Sequence, residues 1–201
     1  MVEGDDRRAR FRVILLGPPG SGKGTQGEVL SKKFDVPQIS TGDMLRSAIA
    51  AGSELGKKVQ DIMSAGALVD DETMLEVVTE RLGQADTARG FLLDGYPRTL
   101  PQARSLDRIL GNIGGGIDHV LLVEVPEEEL VRRMVARGRV DDTLEVARDR
   151  QRIYRETTEP LVEYYGERGL VRRIAGFQPI SDVTRQMIVA LEGVDGEDGA
   201  R

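Results

Sequence analysis

The sequence lacks cysteine and tryptophan and contains a single histidine, His119. Without cysteine the chain has neither a disulfide framework nor a thiolate metal site. Aromatic residues make up 4% of the 201 residues, a share that suits an aliphatic α/β core. His119 has no partner motif, so we interpret it as a structural residue at the start of a strand. These shortages exclude a disulfide-stapled domain and a cysteine-bound metal centre.

Excess positive charge and long apolar runs are also missing. The formal net charge of −6 argues against a non-specific nucleic-acid binder, which needs a basic surface. No stretch approaches the roughly 20 apolar residues of a membrane helix. The polar segment Val2–Arg10 lacks the apolar run of a signal peptide. We therefore expect a cytoplasmic protein that binds neither nucleic acid nor membranes.

The strongest motif is a glycine-rich loop, Gly17-Pro-Pro-Gly-Ser-Gly-Lys-Gly-Thr25, between the apolar run Phe11–Leu16 and a helical stretch. Its glycines allow successive N–H groups to turn inward around an anion. Lys23 adds a charge that can reach terminal phosphates, and the following helix contributes its positive N-terminal end. Gly24 stands where a P-loop usually has Ser or Thr, and the hydroxyl follows as Thr25. This loop is predicted to bind nucleotide phosphates.

Short apolar runs alternate with helical periodicity along the chain. The runs predict strands at Phe11–Leu16, Val36–Ile39, Gly90–Asp94, His119–Val125 and Leu170–Ile174. This alternation predicts an α/β fold with a central parallel sheet of about five strands covered by helices on both faces. Ligands of such sheets bind outside the carboxyl ends of the strands.

Two further features concern the edges of these elements. Asp94 either caps its turn or serves as a ligand of Mg²⁺ through water, because it ends a strand beside the P-loop. Asp142-Thr-Leu-Glu145 resembles a capping box before a long helix, and Pro160 should kink or restart that helix.

A set of arginines, each beside a glycine or at a segment end, is the second functional signal. Guanidinium groups grip phosphate oxygens through paired hydrogen bonds and stay charged at working pH. Each arginine taken alone is also compatible with an exposed, ion-paired position. Asp141 and Asp142 are likewise compatible with a structural role, in which they cap the helix and pair with Arg139. Several arginines beside a P-loop suit a site for two nucleotides better than a simple NTPase. The set comprises Arg46, Arg98, Arg137, Arg139 and Arg150.

Together these stretches resemble the adenylate kinase family, the nucleoside monophosphate kinases that convert ATP and AMP into two ADP. The resemblance runs from about Val13 to Leu191, its last motif lies near Gln178-Pro179, and it accounts for Gly24 after the P-loop lysine. It rests on Gly17–Gln26, Ser40-Thr-Gly-Asp-Met-Leu-Arg46, Gly90-Phe-Leu-Leu-Asp-Gly-Tyr-Pro-Arg-Thr99 and Arg137-Gly-Arg-Val-Asp-Asp142. It implies a P-loop kinase fold.

The resemblance also implies the roles of individual residues. The ATP side would comprise Gly20, Ser21, Gly22, Lys23, Gly24, Thr25, Arg133, Arg137 and Gln178. The AMP side would comprise Thr41, Arg46, Ala67, Leu68, Val69, Gly95, Tyr96, Pro97, Arg98, Gln102, Arg139 and Arg150. Charge stabilisation during transfer would fall to Lys23, Arg98, Arg137, Arg139 and Arg150.

The resemblance further implies one kinase domain over residues 1–201, with two moving parts. The core would comprise residues 11–39, 70–135 and 143–192, with an AMP-binding lobe at 40–69, a short lid at 136–142, and flexible ends at 1–10 and 193–201. Longer family members insert a lobe at the lid, sometimes holding zinc on cysteines. This chain has neither the inserted lobe nor cysteine, so we expect no structural zinc. We also expect Mg²⁺ with ATP as the cofactor, and a monomer.

Two alternatives remain open on the sequence. A UMP/CMP kinase has the same fold, but that branch usually has alanine at the position of Thr41 and asparagine at that of Thr99. Gln102 can present an amide to adenine, which favours AMP. The second alternative is a P-loop regulator that binds nucleotide without catalysis, for which the second arginine clamp would be unnecessary.

Overall fold

A single parallel sheet organises the chain. The structure is a computed structural model that describes residues 11–139 and 143–193. Its five strands pair in the order β2-β3-β1-β4-β5, and every pairing is parallel. The strands are β1 Phe11–Leu16, β2 Gln38–Ser40, β3 Gly90–Asp94, β4 His119–Glu124 and β5 Val171–Ala175. The predicted parallel sheet of about five strands is therefore confirmed.

Helices connect consecutive strands. In the described part of the chain they are α1 Lys23–Phe34, α2 Thr41–Ala50, α3 Glu54–Ser64, α4 Asp71–Leu82, α5 Leu100–Asn112, α6 Glu127–Arg137, α7 Leu144–Ile153, α8 Leu161–Gly166 and α9 Ile180–Glu192. A short 3₁₀ turn lies at Ala85–Thr87, and a π-helical turn at Tyr154–Thr158 follows α7 directly.

The helices cover both faces of the sheet. Neighbouring residues of a strand point to opposite faces, so Leu93 packs in the cluster formed with α2, α3, α4, α5 and α8. Its neighbour Leu92 packs in the opposite cluster, with Leu30 of α1 and Met187 of α9. Leu92 and Leu93 are both fully buried. This two-sided burial confirms the prediction of helices on both faces and explains why the central strands β1, β3 and β4 are mostly apolar.

The strand order places a switch point at β1. The chain lays β2 and β3 on one side of β1 and β4 and β5 on the other. Because all five strands run the same way, the loops after their carboxyl ends meet at one edge of the sheet. The glycine-rich loop after β1 and the turn after Asp94 both lie at this edge.

The predicted boundaries of the helix that carries Arg150 need a correction. The predicted capping box begins at Asp142, but Thr143 is the capping residue, and its hydroxyl accepts from the Val146 N–H at 3.2 Å. Asp141 and Asp142 themselves lie outside the described residues. Pro160 immediately precedes α8, so a new helix begins after this proline, as predicted.

Parts of three further predictions lie outside the described ranges. These are the flexible ends at residues 1–10 and 194–201 and the lid residues 140–142. Gly193 is described, and it caps the C-terminus of α9 with a left-handed φ of 66°. Within residues 11–139 and 143–193, no helix combines the length and apolar character needed to span a bilayer.

Candidate active site

The glycine-rich loop wraps tightly against β4 and α6. Gly17 and Gly20 have φ of 143° and 87°, in the region that favours glycine. A Cβ at Gly17 would lie 2.6 Å from the Val123 carbonyl oxygen, and one at Gly20 would lie 2.6 Å from that of Leu130. Glycine is therefore required at both positions by backbone conformation and by the close approach of other backbone atoms.

The N-terminus of α1 opens onto this loop without a side-chain cap. Gly22 is the N-cap residue, and the first turn contains no acidic side chain. By contrast, α2 and α4 are capped by side chains and have acidic residues in their first turns. Uncapped N–H groups and the positive end of the helix dipole favour an anion at this point.

Lys23 is held by the loop itself. Its Nζ donates to the Gly17 carbonyl oxygen at 2.7 Å, to that of Pro18 at 2.9 Å and to Ser21 Oγ at 3.3 Å. Burial lowers the pKa of Lys23 to about 8, against the opposing effect of the Asp94 charge. A phosphate seated in the loop would offer this ammonium a charged acceptor in place of neutral carbonyls.

A cleft of about 500 Å³ runs from this loop to the turn after β3. Most residues predicted for the two nucleotide sites line it, although they come from widely separated parts of the sequence. They are Gly20, Gly22, Lys23, Gly24, Thr25, Thr41, Arg46, Ala67, Leu68, Val69, Asp94, Gly95, Pro97, Arg98, Gln102, Arg133, Arg137, Arg139 and Arg150. Their individual roles stay predictions.

Three predicted site residues do not line the cleft. Ser21 is buried behind the loop at 3% exposure, and Tyr96 is buried at 1%. The Tyr96 hydroxyl donates to the Gln102 backbone carbonyl at 3.3 Å, so Tyr96 supports the cleft wall from behind. Gln178 lines a separate groove beside β5 and α9, where its Oε1 accepts from Gln186 Nε2 at 2.7 Å.

The wall opposite the loop is built around Arg98. Its Nε donates to the Gly95 carbonyl oxygen at 2.8 Å, and burial lowers the pKa of its guanidinium from an ordinary value far above neutrality. The backbone N–H of Arg98 donates to Gln102 Oε1 at 2.7 Å. Arg98 and Gln102 therefore form one hydrogen-bonded wall of the cleft.

A carboxylate on α2 interacts with two further arginines of the cleft. Asp43 accepts a hydrogen bond from Arg46, and Arg139 Nη2 lies 3.8 Å from the same Asp43 oxygen. Burial raises the pKa of Asp43, but hydrogen bonds from Arg46 and Ser40 outweigh it and bring the pKa below its usual value. Asp43 lies in the Thr-Gly-Asp motif, yet the sequence analysis did not assign it a role.

Arg150 and its neighbour Gln151 place α7 against the cleft. Arg150 Nη2 donates to the Met63 carbonyl oxygen at 3.5 Å. Gln151 is buried and donates to the Pro19 carbonyl oxygen at 2.8 Å. The sequence analysis missed Gln151, because no local motif indicates that this glutamine reaches the P-loop.

Oxygen ligands are available beside the loop for a hard cation. Asp94 Oδ2 lies 3.6 Å from the position of a Cβ built on Gly24, and Thr25 lines the same cleft. The described residues contain no group of three or more His, Asp or Glu side chains placed to hold a metal ion. The Asp94 carboxylate and the Thr25 hydroxyl nevertheless fit Mg²⁺, which binds through one or two carboxylates together with substrate phosphates.

These features define a class of protein. A P-loop at the carboxyl edge of a parallel sheet, facing half-buried and exposed arginines across one cleft, is the site of a P-loop kinase. In such a site, catalysis consists of positioning and neutralising phosphates.

Comparison with known proteins narrows the class. The family model for adenylate kinase matches residues 15–170. An adenylate kinase of Thermobifida fusca is 46% identical over 186 residues, covering 90% of this chain and 98% of the relative. One of Nocardia farcinica is 48% identical over 181 residues, with 90% and 99% covered. The chain belongs to the adenylate kinase family, as its motifs predicted, and it is a nucleoside monophosphate kinase.

Proposed function

We propose that this chain catalyses the reversible, Mg²⁺-dependent transfer of the γ-phosphoryl group of ATP to AMP, giving two ADP. The observation that carries the proposal is the cleft itself, in which an uncapped helix N-terminus and Lys23 face Arg98 and Gln102. One phosphate site would suffice for hydrolysis. Two cationic walls facing one another suit a donor and an acceptor.

The donor half would hold ATP. Loop N–H groups and Lys23 would bind its β- and γ-phosphates, Arg137 would neutralise the transferred group, and Arg133 would lie near the adenine. Asp94 would hold Mg²⁺ through water, and the metal would supply charge neutralisation between the phosphates. Gln178 remains a weaker candidate for adenine contact, because it lies outside the cleft lining.

The acceptor half would hold AMP. An AMP phosphate oxygen would attack the γ-phosphorus in line, while the bond from that phosphorus to the bridging oxygen of ADP breaks. Arg46, Arg98, Arg139 and Arg150 would hold the acceptor phosphate and the spreading charge of the transition state. Gln102 would read the adenine edge, within a pocket formed by Thr41, Ala67, Leu68, Val69, Gly95 and Pro97.

Closure of two mobile parts would protect the transfer from water. The proposed AMP-binding lobe spans residues 40–69 and the proposed lid residues 136–142. Two contacts onto the proposed lobe are of the kind that such closure needs: Arg139 of the proposed lid approaches Asp43, and Arg150 of the proposed core donates to the Met63 carbonyl oxygen. Excluding water would limit ATP hydrolysis, and reopening would limit turnover.

A coupled assay for ADP tests the proposal against its rivals. We expect ADP formation with ATP and AMP together and little with ATP alone. Better use of CMP or UMP than of AMP would favour the UMP/CMP kinase. No transfer to AMP, CMP, UMP or GMP would favour a non-catalytic nucleotide-binding protein. The proposed monomer of 22.0 kDa rests on the family alone and is tested by gel filtration. The proposed cytoplasmic location rests on sequence composition and is tested by cell fractionation.

Replacing Arg98 tests the acceptor wall directly. Arg98→Ala is expected to lower kcat at least about 100-fold, because it removes transition-state charge stabilisation. The matched control is Arg108→Ala, which removes an exposed arginine of α5 that donates to nearby Ser105 Oγ at 3.0 Å. A kcat for Arg98→Ala within tenfold of the wild-type value would contradict this role.

A further inference from the structure

A buried hydrogen-bond chain fixes the side chain of Gln102 from both ends. Gln102 lines the cleft although its exposure is only 3%. Its Oε1 accepts from the Arg98 backbone N–H at 2.7 Å, and its Nε2 donates to Asp71 Oδ1 at 2.8 Å. Asp71 is the first residue of α4, so the contact joins two helices at the cleft wall.

The chemistry of these two partners permits one orientation of the amide. A backbone N–H can only donate, and an ionised carboxylate can only accept. Turning the amide over would set its NH₂ against the Arg98 N–H and its oxygen against the Asp71 carboxylate. Both ends of the amide would then lose a hydrogen bond in a buried place, which is costly.

Thr99 orients the Asp71 carboxylate, which in turn orients the Gln102 amide. Its hydroxyl donates to Asp71, at 3.1 Å from Oδ1 and 3.2 Å from Oδ2, while its oxygen accepts from the Gln102 backbone N–H at 3.2 Å. Asp71 thus accepts hydrogen bonds from Thr99 and Gln102, two residues of the segment that it orients. This arrangement gives Thr99 a structural part in the wall, separate from any contact with a base.

The fixed amide retains one N–H and one oxygen lone pair for a bound base. Adenine offers an acceptor at N1 and a donor at its 6-amino group, whereas a 6-oxopurine offers a donor at N1 and an acceptor at O6. An amide free to turn over would pair with either pattern. An amide held in one orientation pairs with one pattern and leaves polar groups unpaired with the other, which is an effective basis for discrimination.

We propose that Asp71 is a positioning residue that enforces selection of 6-amino over 6-oxo purine nucleoside monophosphates by preventing the Gln102 amide from turning over. The inference rests on the proposed function, because it assumes that Gln102 faces the acceptor base. It adds to that function a residue that never touches the substrate.

The test compares AMP with IMP, whose base is the 6-oxo counterpart of adenine. Asp71→Asn leaves a side chain of the same size that can accept or donate, so the residue-71 end no longer opposes a turned-over Gln102 amide and only the Arg98 N–H still does. We expect the ratio of kcat/KM for AMP to that for IMP to fall at least tenfold. The ratio of the dissociation constants, measured calorimetrically without turnover, should move in the same direction.

Two controls separate positioning from general damage. Glu72→Gln removes an exposed charge from the same first turn of α4 and should leave the AMP to IMP ratio within twofold of wild type. In a Gln102→Ala background, adding Asp71→Asn should no longer change the ratio, because the group being oriented is absent. A purely structural role for Asp71 would act in either background.

The possible outcomes are distinct. An unchanged ratio in Asp71→Asn, an equal change in Glu72→Gln, or a change that persists without Gln102 would each overturn the inference. A wild-type protein that binds AMP but transfers no phosphoryl group would overturn the proposed function. The ratio of the dissociation constants for AMP and IMP would still test the positioning role of Asp71. A wild-type protein that does not bind AMP would overturn both.

Discussion

At the residue scale, the cleft depends on groups whose partners are far away in the sequence. Lys23 lies within a motif, so its place could be predicted from the loop alone. Asp71 and Gln151 lie in no motif, and their contacts with Gln102 and Pro19 form only after helices pack. Motifs and local spacing therefore predict residues such as Lys23 but miss residues such as Asp71 and Gln151.

The lowered pKa of Lys23 predicts a pH dependence of ATP use. With AMP saturating, kcat/KM for ATP should fall on the alkaline side with an apparent pKa near 8, the value to which burial lowers this lysine. The sign follows because the protonated ammonium predominates below that pKa, and the neutral amine formed above it no longer attracts phosphate. Steady-state rates across a pH series measure this decline.

Lys23→Arg is the matched control for this titration. Arginine stays protonated throughout the working range, so whatever activity the variant retains should lack the alkaline decline. A wild-type profile that stays flat to about two pH units above the pKa of the lysine, or an identical decline in Lys23→Arg, would assign the titration to another group.

At the element scale, strands were more predictable than the start of the helix that carries Arg150. The strands Phe11–Leu16 and Gly90–Asp94 have the predicted bounds, because apolar runs and glycines mark their ends. The shift of the α7 cap to Thr143 and the π-helical turn at Tyr154–Thr158 were not foreseen. Several polar residues there offer similar local caps, and packing against the cleft decides among them.

Alanine substitutions at two helical glycines, Gly56 in α3 and Gly111 in α5, should have opposite effects on the stability of the fold. A Cβ at Gly56 would lie 2.1 Å from the Ala48 carbonyl oxygen, so Gly56→Ala should destabilise the fold by about 1–3 kcal/mol or more. Gly111, also helical, has no atom within 4 Å of such a Cβ, so Gly111→Ala should stabilise it by about 0.5–1 kcal/mol.

Thermal and urea unfolding of the two glycine variants measures these effects. Because α2 and α3 lie in the proposed lobe at residues 40–69, Gly56→Ala should also raise KM for AMP more than KM for ATP. Stabilisation by Gly56→Ala would contradict the close approach of α2 and α3, and destabilisation by Gly111→Ala would contradict the open space at that position.

At the scale of the whole molecule, the fold could be predicted because its pattern is repeated along the chain. Alternating strands and helices imply a parallel sheet, and a parallel sheet fixes the edge where ligands bind. The strand order β2-β3-β1-β4-β5 brings together the loop after β1 and the turn after β3. The division into core, lobe and lid remains a proposal, since it concerns movement between parts.

The central claim is that the two cationic walls of one cleft hold two nucleotides end to end. A crystal structure with a bisubstrate mimic, two adenosines joined through five phosphates, tests it most directly. The account predicts that the phosphate chain runs from the P-loop and Lys23 to Arg98, with one adenine beside Gln102. A mimic bound elsewhere, or seated in the cleft without contact to these cationic side chains, would contradict it.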